Sequence, residues 1–194
     1  MTKETPEFDS FSAKVAQAVA RIAVAREAAI PALYDLTAQR LLRLACTITR
    51  NQHDAEDVLQ TVMVRMAWKP EPMLEAERPW SYLLQCVRNE ALLVLRKRKS
   101  SRLVVGITDL LTQVSVDDAA RKESHCSVWL AMRELPAEQA EVVVLRIWEQ
   151  MKFSEIGEVL GLPLATVASR YRYALKRLAG SLRPQNVEVI REQK

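Results

Sequence analysis

The sequence predicts an all-α protein of two small helical domains joined by a flexible linker. Apolar residues recur at intervals of three and four along most of the chain, and no segment shows the alternation typical of a strand. The chain has 194 residues, 49% of them hydrophobic, and only 4 glycines, a composition typical of folded globular proteins. Residues 102–122 break the helical periodicity, and we interpret them as the linker.

Composition and charge restrict the functions that we consider. The formal charge of +4 is mild, so the distribution of charge matters more than its total. No apolar run is long enough to cross a bilayer and the N-terminus lacks a secretory signal, so we expect a cytoplasmic protein without membrane insertion. The three cysteines are far apart and form no CxxC pair, so we expect no disulfide framework, no metal and no cofactor.

The first part of the chain predicts two amphipathic helices around Pro31, which either ends the first or opens the second. Residues 12–29 are rich in alanine, and residues 32–50 carry the second helix. The expected inward face of the first helix consists of Val15, Val19, Ile22 and Ala23. We treat residues 1–30 as an N-terminal helical extension that packs on the first domain, residues 31–101, or on a regulator.

Two further helices complete the predicted first domain. The third, residues 54–68, begins with acidic side chains, which the helix dipole favours there, and should bury Val58, Val62 and Met66. The proline-broken residues 69–79 predict a loop. The fourth helix, residues 80–99, is strongly basic, with Trp80 and Tyr82 at its head. These rings either stack on unpaired bases or serve as packing anchors.

The second domain, residues 123–183, contains two helices that are separated by a tight turn, followed by a polar tail, residues 184–194. Gly161 accepts a left-handed conformation cheaply, and Pro163 sits where a new helix can begin. The expected inward residues of these helices are Phe153, Ile156, Val159, Leu160, Val167, Tyr171, Ala174, Leu175 and Leu178. The last helix has a basic outer face without any acid, which indicates a DNA-binding helix-turn-helix, although an ordinary hairpin with a solvated basic face remains an alternative.

Three motifs, taken in order, resemble the extracytoplasmic-function (ECF) sigma factors, the two-domain sigma subunits of bacterial RNA polymerase. They are DAEDVLQTVMVRMAW, WSYLLQCVRNEALLVLRKRKS and ELPAEQAEVVVLRIWEQMKFSEIGEVLGLPLATVASRYRYALKRL. The resemblance covers about residues 32–182 and implies a sigma region 2 bundle followed by a sigma region 4 helix-turn-helix. It also implies core RNA polymerase, promoter DNA and an anti-sigma factor or other regulator as partners.

The resemblance assigns functional residues to three helices. For the −35 element it implies Thr166, Ser169, Arg170, Arg172, Tyr173 and Lys176. For the melted −10 element it implies Trp80, Tyr82, Arg88, Asn89, Arg96 and Arg98. For the core polymerase it implies Asp54, Glu56, Asp57, Gln60 and Arg65.

Two other classes of protein compete with this interpretation. A stand-alone helix-turn-helix regulator explains the last two helices but not the acidic third helix or the basic fourth one. A sigma-like decoy that binds an anti-sigma factor explains the domain order, yet it would be expected to lose its basic faces. We expect no enzyme, because the sequence shows no nucleotide-binding glycine loop, metal-ligand set or paired acid and base.

Overall fold

The computed structural model describes residues 6–102 and 122–182, and the side chains within 10–98 and 128–182. All the regular elements in these ranges are helical, which confirms the all-α prediction. The helices are α1 (Pro6–Ala25), α2 (Ile30–Thr49), α3 (Gln52–Trp68), α4 (Glu71–Leu74), α5 (Pro79–Arg102), α6 (Lys122–Glu134), α7 (Ala137–Val143), α8 (Phe153–Leu160) and α9 (Leu164–Ser181). Most of the predicted linker and the polar tail lie outside the described residues.

The N-terminal helix α1 packs on α2 and α5. It begins earlier than predicted and also ends earlier, because Arg26 adopts a left-handed conformation (φ 47°) and a 3₁₀ turn follows at Arg26–Ala29. Pro31 stands in the first turn of α2 and therefore opens that helix. The buried face of α1 consists of Val15, Ala18, Val19 and Ile22, whereas Ala23, which we expected to face inward, is exposed.

The first domain is a bundle in which α2, α3 and α5 pack on one another. The Asn51 side chain caps α3 by accepting a hydrogen bond of 3.0 Å from the backbone N–H of Asp54. The inward residues predicted for α3 are all buried. The segment predicted as a loop contains α4, whose Met73 is fully buried, so that prediction was incomplete. Prolines are tolerated there because they occupy the start of this short helix.

The second domain is built from α6 to α9. Its core includes the consecutive apolar residues 142–145, which begin in α7 and continue into a π-helical turn at Val144–Trp148. Trp129 of α6 stacks on Trp148 with ring centroids 5.4 Å apart. An all-round apolar run of this kind is buried on every side because α7 lies between α9 and the first domain.

The turn between α8 and α9 has the predicted geometry. Gly161 has φ 66°, in the left-handed region that glycine tolerates best. One turn earlier, a Cβ at Gly157 would lie 2.8 Å from the Leu162 carbonyl oxygen, so the chain can fold back closely only at a glycine. Gly157 and Gly161 together set the angle between α8 and α9. Leu175, expected to face inward, is 40% exposed, because α9 buries the narrower face of Val167, Ala174 and Leu178.

Candidate nucleic-acid interface

Helix α9 presents a basic and aromatic outer face. Arg172, Tyr173 and Lys176 are exposed, with Tyr173 at 54%, and the Arg172 guanidinium carbon lies 5.4 Å from the centre of the Tyr173 ring. Thr166, Ser169 and Arg170 are half-buried beside them. The helix contains no acidic residue, so it offers hydrogen-bond donors and positive charge on a helix of the width that enters a major groove.

The head of α5 is arranged differently from the expectation. Trp80 is fully buried, and its ring packs against the Phe11 ring of α1 in a T-shaped arrangement with centroids 5.0 Å apart. Its indole nitrogen has no hydrogen-bond partner within the described part of the chain. In this conformation Trp80 is a packing residue and cannot stack on a base. The sequence could not distinguish the two roles, because the ring that covers Trp80 belongs to a different helix.

Tyr82 keeps part of its surface accessible. It is half-buried, and its hydroxyl donates a hydrogen bond to the sulfur of Cys86 one turn further along α5. Burial, reinforced by this hydrogen bond, raises the pKa of the Tyr82 hydroxyl above its ordinary value. The ring is therefore a neutral phenol at physiological pH. Cys86 and Cys46 pack against the core, and burial raises the pKa of the Cys46 thiol to about 11.

The other −10 candidates on α5 divide into exposed and paired residues. Asn89 and Arg96 are exposed. Arg98 is paired with Asp54 of α3, its Nη1 lying 2.9 Å from a carboxylate oxygen. Arg88 is bound by the second domain: its Nε lies 2.8 Å from Oε2 of Glu141. The geometry thus leaves only part of the expected basic surface free.

The acidic face of α3 lies mostly at the surface. Glu56, Asp57 and Gln60 are exposed, whereas Asp54 is held by Arg98, and Arg65 lies 2.6 Å from Glu90 of α5. Sequence reasoning missed two residues on the same face of α3 as Asp57, namely Val64 and Trp68, which are 51% and 86% exposed. They follow Asp57 at helical spacing and extend its face with apolar surface. The sequence does carry a signal, because Trp68 stands at the end of the predicted helix, two residues before Pro70, and is not among the residues expected to face inward.

The two domains are joined by ion pairs in which every arginine belongs to the first domain and every glutamate to the second. Glu149 is fully buried, with Arg40 at 3.1 Å and Arg43 at 3.4 Å. Glu141 is 2% exposed, and Arg88 holds it as described above. Arg78 forms further ion pairs with Glu155 and Glu158, at 3.8 and 3.1 Å. The Arg50 guanidinium donates hydrogen bonds to the backbone carbonyl oxygens of Arg133, at 2.6 Å, and of Leu135.

Burial shifts the titration of the two central glutamates. It raises the pKa of Glu141, against the opposing effect of Arg88 and the positive charge of Arg170. It also raises the pKa of Glu149, against the effect of Arg40 and Arg43. Neither glutamate was identified from the sequence. The available signal was an acidic residue inside the apolar segment EVVVLRIWE, but nothing in that segment names its partners.

No group of three or more metal-ligating side chains occurs in the ranges that the structure covers. Likewise, none of the helices in those ranges is both long enough and apolar enough to cross a membrane.

Comparison with known proteins places these surfaces in a family. Residues 33–101 match the family model for sigma-70 region 2, and residues 127–178 match the model for sigma-70 region 4. The first match contains α3 and most of α5, and the second contains α8 and most of α9. The bundle with its basic helix thus matches sigma-70 region 2, and the helix-turn-helix matches region 4.

Individual relatives narrow the class. The chain is 31% identical to the RNA polymerase sigma-E factor of Streptomyces avermitilis over 76% of its own length and 82% of that protein. It is 30% identical to the ECF RNA polymerase sigma factor SigL of Mycobacterium tuberculosis over 87% and 97%, respectively. The chain therefore belongs to the ECF group of the sigma-70 family, the transcription-initiation factors that the sequence motifs resemble.

Solved structures support the same fold. The sigma factor RpoE of Bartonella quintana, crystallised with the anti-sigma factor NepR, has a TM-score of 0.67 at 20% identity, covering 77% of this chain and 95% of that one. CnrH in complex with the cytosolic domain of CnrY gives a TM-score of 0.55 at 22% identity, with 85% and 94% covered.

Proposed function

We propose that this protein is an initiation subunit that binds bacterial core RNA polymerase and directs it to promoters with defined −10 and −35 elements. The observation that carries the proposal is the outer face of α9, exposed, free of acid and mounted on a helix-turn-helix. It occurs in a chain whose other module belongs to region 2. We take residues 31–101 and 123–183 as the two functional domains.

The second domain would read duplex DNA at the −35 element. Arg170 and Arg172 provide planar groups that can bind a guanine edge through two hydrogen bonds, and Thr166 and Ser169 provide hydroxyls. Tyr173 and Lys176 complete the face. The Ser169 hydroxyl already donates to the Thr166 carbonyl at 2.9 Å, so it is oriented by the helix itself and retains its capacity to accept.

The first domain would hold the melted −10 strand on α5. Asn89 and Arg96 are exposed for this purpose, and Tyr82 offers a partly accessible ring. Arg88 and Arg98 would join them only after leaving Glu141 and Asp54. Trp80 would support α5 from inside the bundle. A surface of this kind stabilises melting only because it binds the open strand more tightly than the duplex.

Core polymerase would dock on α3. Asp57 and Gln60 give this face polar contacts, and Val64 and Trp68 add the apolar area that a stable protein interface needs. We also expect a regulator of the anti-sigma type, since the Bartonella quintana RpoE structure is a complex with the anti-sigma factor NepR. The protein would act in the cytoplasm and would not itself be an enzyme.

Run-off transcription tests the proposal. Purified bacterial core polymerase is given a mixed promoter library with and without the protein, and transcripts are sequenced. We expect starts at defined sites only when the protein is present. Asp57→Lys serves as the separating variant: it should weaken core binding while duplex binding by α9 persists. A protein that binds duplex DNA but neither binds core nor changes its start sites would be a stand-alone regulator. One that binds only an anti-sigma factor would be a decoy.

A further inference from the structure

The N-terminal helix, the first domain and the second domain meet at one side chain, that of Arg40. Arg40 belongs to α2. Its guanidinium carbon lies 3.8 Å from the centre of the Phe11 ring of α1. On the other side, its Nη1 lies 3.1 Å from Oε2 of Glu149 in the second domain. No other pair of contacts in the described residues links all three parts of the chain through a single charged group.

Glu149 makes the position of Arg40 important for the contact between domains. Its side chain is fully buried, and each of its oxygens faces one arginine, Oε2 facing Arg40 and Oε1 facing Arg43 at 3.4 Å. A buried carboxylate is tolerated only while its partners stay in place, because it has no water to replace them. A shift of Arg40 therefore destabilises the closed arrangement of the two domains.

Phe11 restricts where the Arg40 guanidinium can go. An arginine side chain is long and samples many rotamers, and an aromatic face beside the guanidinium favours one of them. Phe11 is itself held by its T-shaped contact with Trp80, with ring centroids 5.0 Å apart, and α1 is anchored on the bundle by the buried Val15, Val19 and Ile22. All of these α1 residues lie outside the segment that matches sigma-70 region 2.

We propose that α1 is a clasp: through Phe11 it positions Arg40 on Glu149 and so strengthens the attachment of the second domain to the first. Displacing the start of α1 and separating the domains are then coupled, and each makes the other easier. One consequence rests on the proposed function: because Arg88 is held by Glu141 in the same interface, opening the clasp would release Arg88 for DNA.

Single-molecule energy transfer on the free, full-length chain tests the clasp without any polymerase or DNA. Dyes are attached through unnatural amino acids at Thr61 of α3 and Ala179 of α9, both exposed. The salt concentration is raised until open and closed molecules are both populated enough to be counted. Phe11→Leu keeps an apolar side chain against Trp80 but removes the aromatic face, so it should raise the open-to-closed ratio by roughly three- to tenfold. Phe11→Tyr, which retains the ring, should match the natural chain.

Double-mutant cycles show whether Arg40 carries the effect. The double variant Glu149→Gln and Phe11→Leu should raise the open-to-closed ratio by less than the product of the two single-variant increases, because both substitutions act through Arg40. Glu141→Gln is the matched control, since it removes a buried carboxylate of the same interface that pairs with Arg88 instead. In the double variant Glu141→Gln and Phe11→Leu, the increases of the open-to-closed ratio should therefore multiply. Arg40→Met, which keeps an apolar stem but removes the charged group, should open the domains and leave Phe11→Leu without further effect.

Helical content, followed by circular dichroism, verifies that each variant is folded. The clasp is overturned if Phe11→Leu leaves the open-to-closed ratio unchanged, or if its effect is equally large with Gln at position 149. Domains that stay apart in the natural chain at every salt concentration would also overturn it. Because none of these readouts involves transcription, failure of the clasp and failure of the promoter-recognition proposal are separate results.

Discussion

The two helices proposed to contact DNA present their side chains in opposite ways. On α9, Arg172 and Lys176 are exposed and ready for contact. On α5, Trp80 lies in the core and Arg88 is bound to Glu141 of the other domain. In the proposed function the second domain would therefore meet a duplex as it stands, whereas Arg88 of the first domain would have to exchange a protein carboxylate for a phosphate or a base.

This difference suggests an order of events in initiation. A surface that is competent in only a fraction of the molecules binds with an apparent affinity reduced by that fraction. Any partner that separates the domains would raise the competent fraction of α5 while leaving α9 almost unaffected. Core polymerase, which docks on α3 of the first domain in the proposed function, is our candidate for that partner.

The largest effect is expected at Trp80. Trp80→Ala removes a fully buried ring and should lower the free energy of unfolding by about 3–5 kcal/mol, measured by chemical denaturation of the full chain. Trp68→Ala is the matched control, because Trp68 is 86% exposed and should change that free energy by less than about 0.5 kcal/mol. Normal stability of Trp80→Ala combined with loss of promoter melting would instead place Trp80 on the DNA-binding surface.

The next largest effect is expected on α9. Arg170→Ala should cost about 1–3 kcal/mol of binding to a −35 duplex and relax the sequence preference at one position. Arg177 is exposed further along the same helix, and Arg177→Ala should weaken binding to every duplex by the same factor, without changing the sequence preference. Binding is measured by fluorescence anisotropy on matched duplex variants. An unchanged preference in Arg170→Ala would remove that residue from the reading surface.

A smaller effect is expected when Glu141, the carboxylate that pairs with Arg88, is replaced by a neutral side chain. Glu141→Gln weakens the hold on Arg88 and should increase the affinity of the free chain for a −10 single strand by about tenfold. Glu138→Gln alters an exposed carboxylate on the same helix and should have little effect. Equal gains in the two variants would mean that general charge, and not unmasking, governs binding to the strand.

The smallest effect is expected from pH. Burial raises the pKa of Glu141 and Glu149 in the closed arrangement, although Arg88, Arg170, Arg40 and Arg43 oppose the shift and Glu138 adds to it at Glu141. Because their folded-state pKa exceeds the ordinary value of an unfolded chain, the stability that these two carboxyls contribute is complete below the ordinary carboxyl pKa and is lost as pH rises through the folded-state pKa. The free energy of unfolding of the natural chain, compared with that of the double variant Glu141→Gln and Glu149→Gln, should therefore be higher at pH 5 than at pH 7.

The glutamine variants provide the control for this pH effect. Glu141→Gln should remove part of the pH dependence, since one of the two titrating groups is then absent. A natural chain that gains stability over the double variant from pH 5 to pH 7 would contradict the assignment and show that the arginines outweigh desolvation at these carboxylates.

Local features of the fold were predictable from the sequence. The left-handed Gly161, the start of α9 after Pro163 and the buried face of α3 all follow from rules that act over a few residues. The early end of α1 was not predictable in this way, because the residue in the left-handed conformation is Arg26, and not a glycine or asparagine, which usually adopt it.

The candidate site was predictable only in part, for a related physical reason. Which residues α9 offers to DNA follows from its own periodicity, and those residues are at least partly exposed. The state of α5 depends on contacts made far away in sequence: Phe11 covers Trp80, and Glu141 binds Arg88. Periodicity reports which face of a helix is buried, but it does not name the element that buries it or the charge that meets an arginine there.

The comparison between α5 and α9 is tested most directly by measuring the affinities of two DNA probes taken from a promoter that the transcription library identifies. One probe is the −35 duplex and the other is the −10 single strand, and each is titrated with the free chain and with the chain bound to core polymerase. We predict that the free chain binds the duplex tightly and the strand only weakly, and that the polymerase-bound chain binds both tightly. Equally tight binding of the single strand by the free chain would contradict the account, because α5 would then be unmasked without any partner.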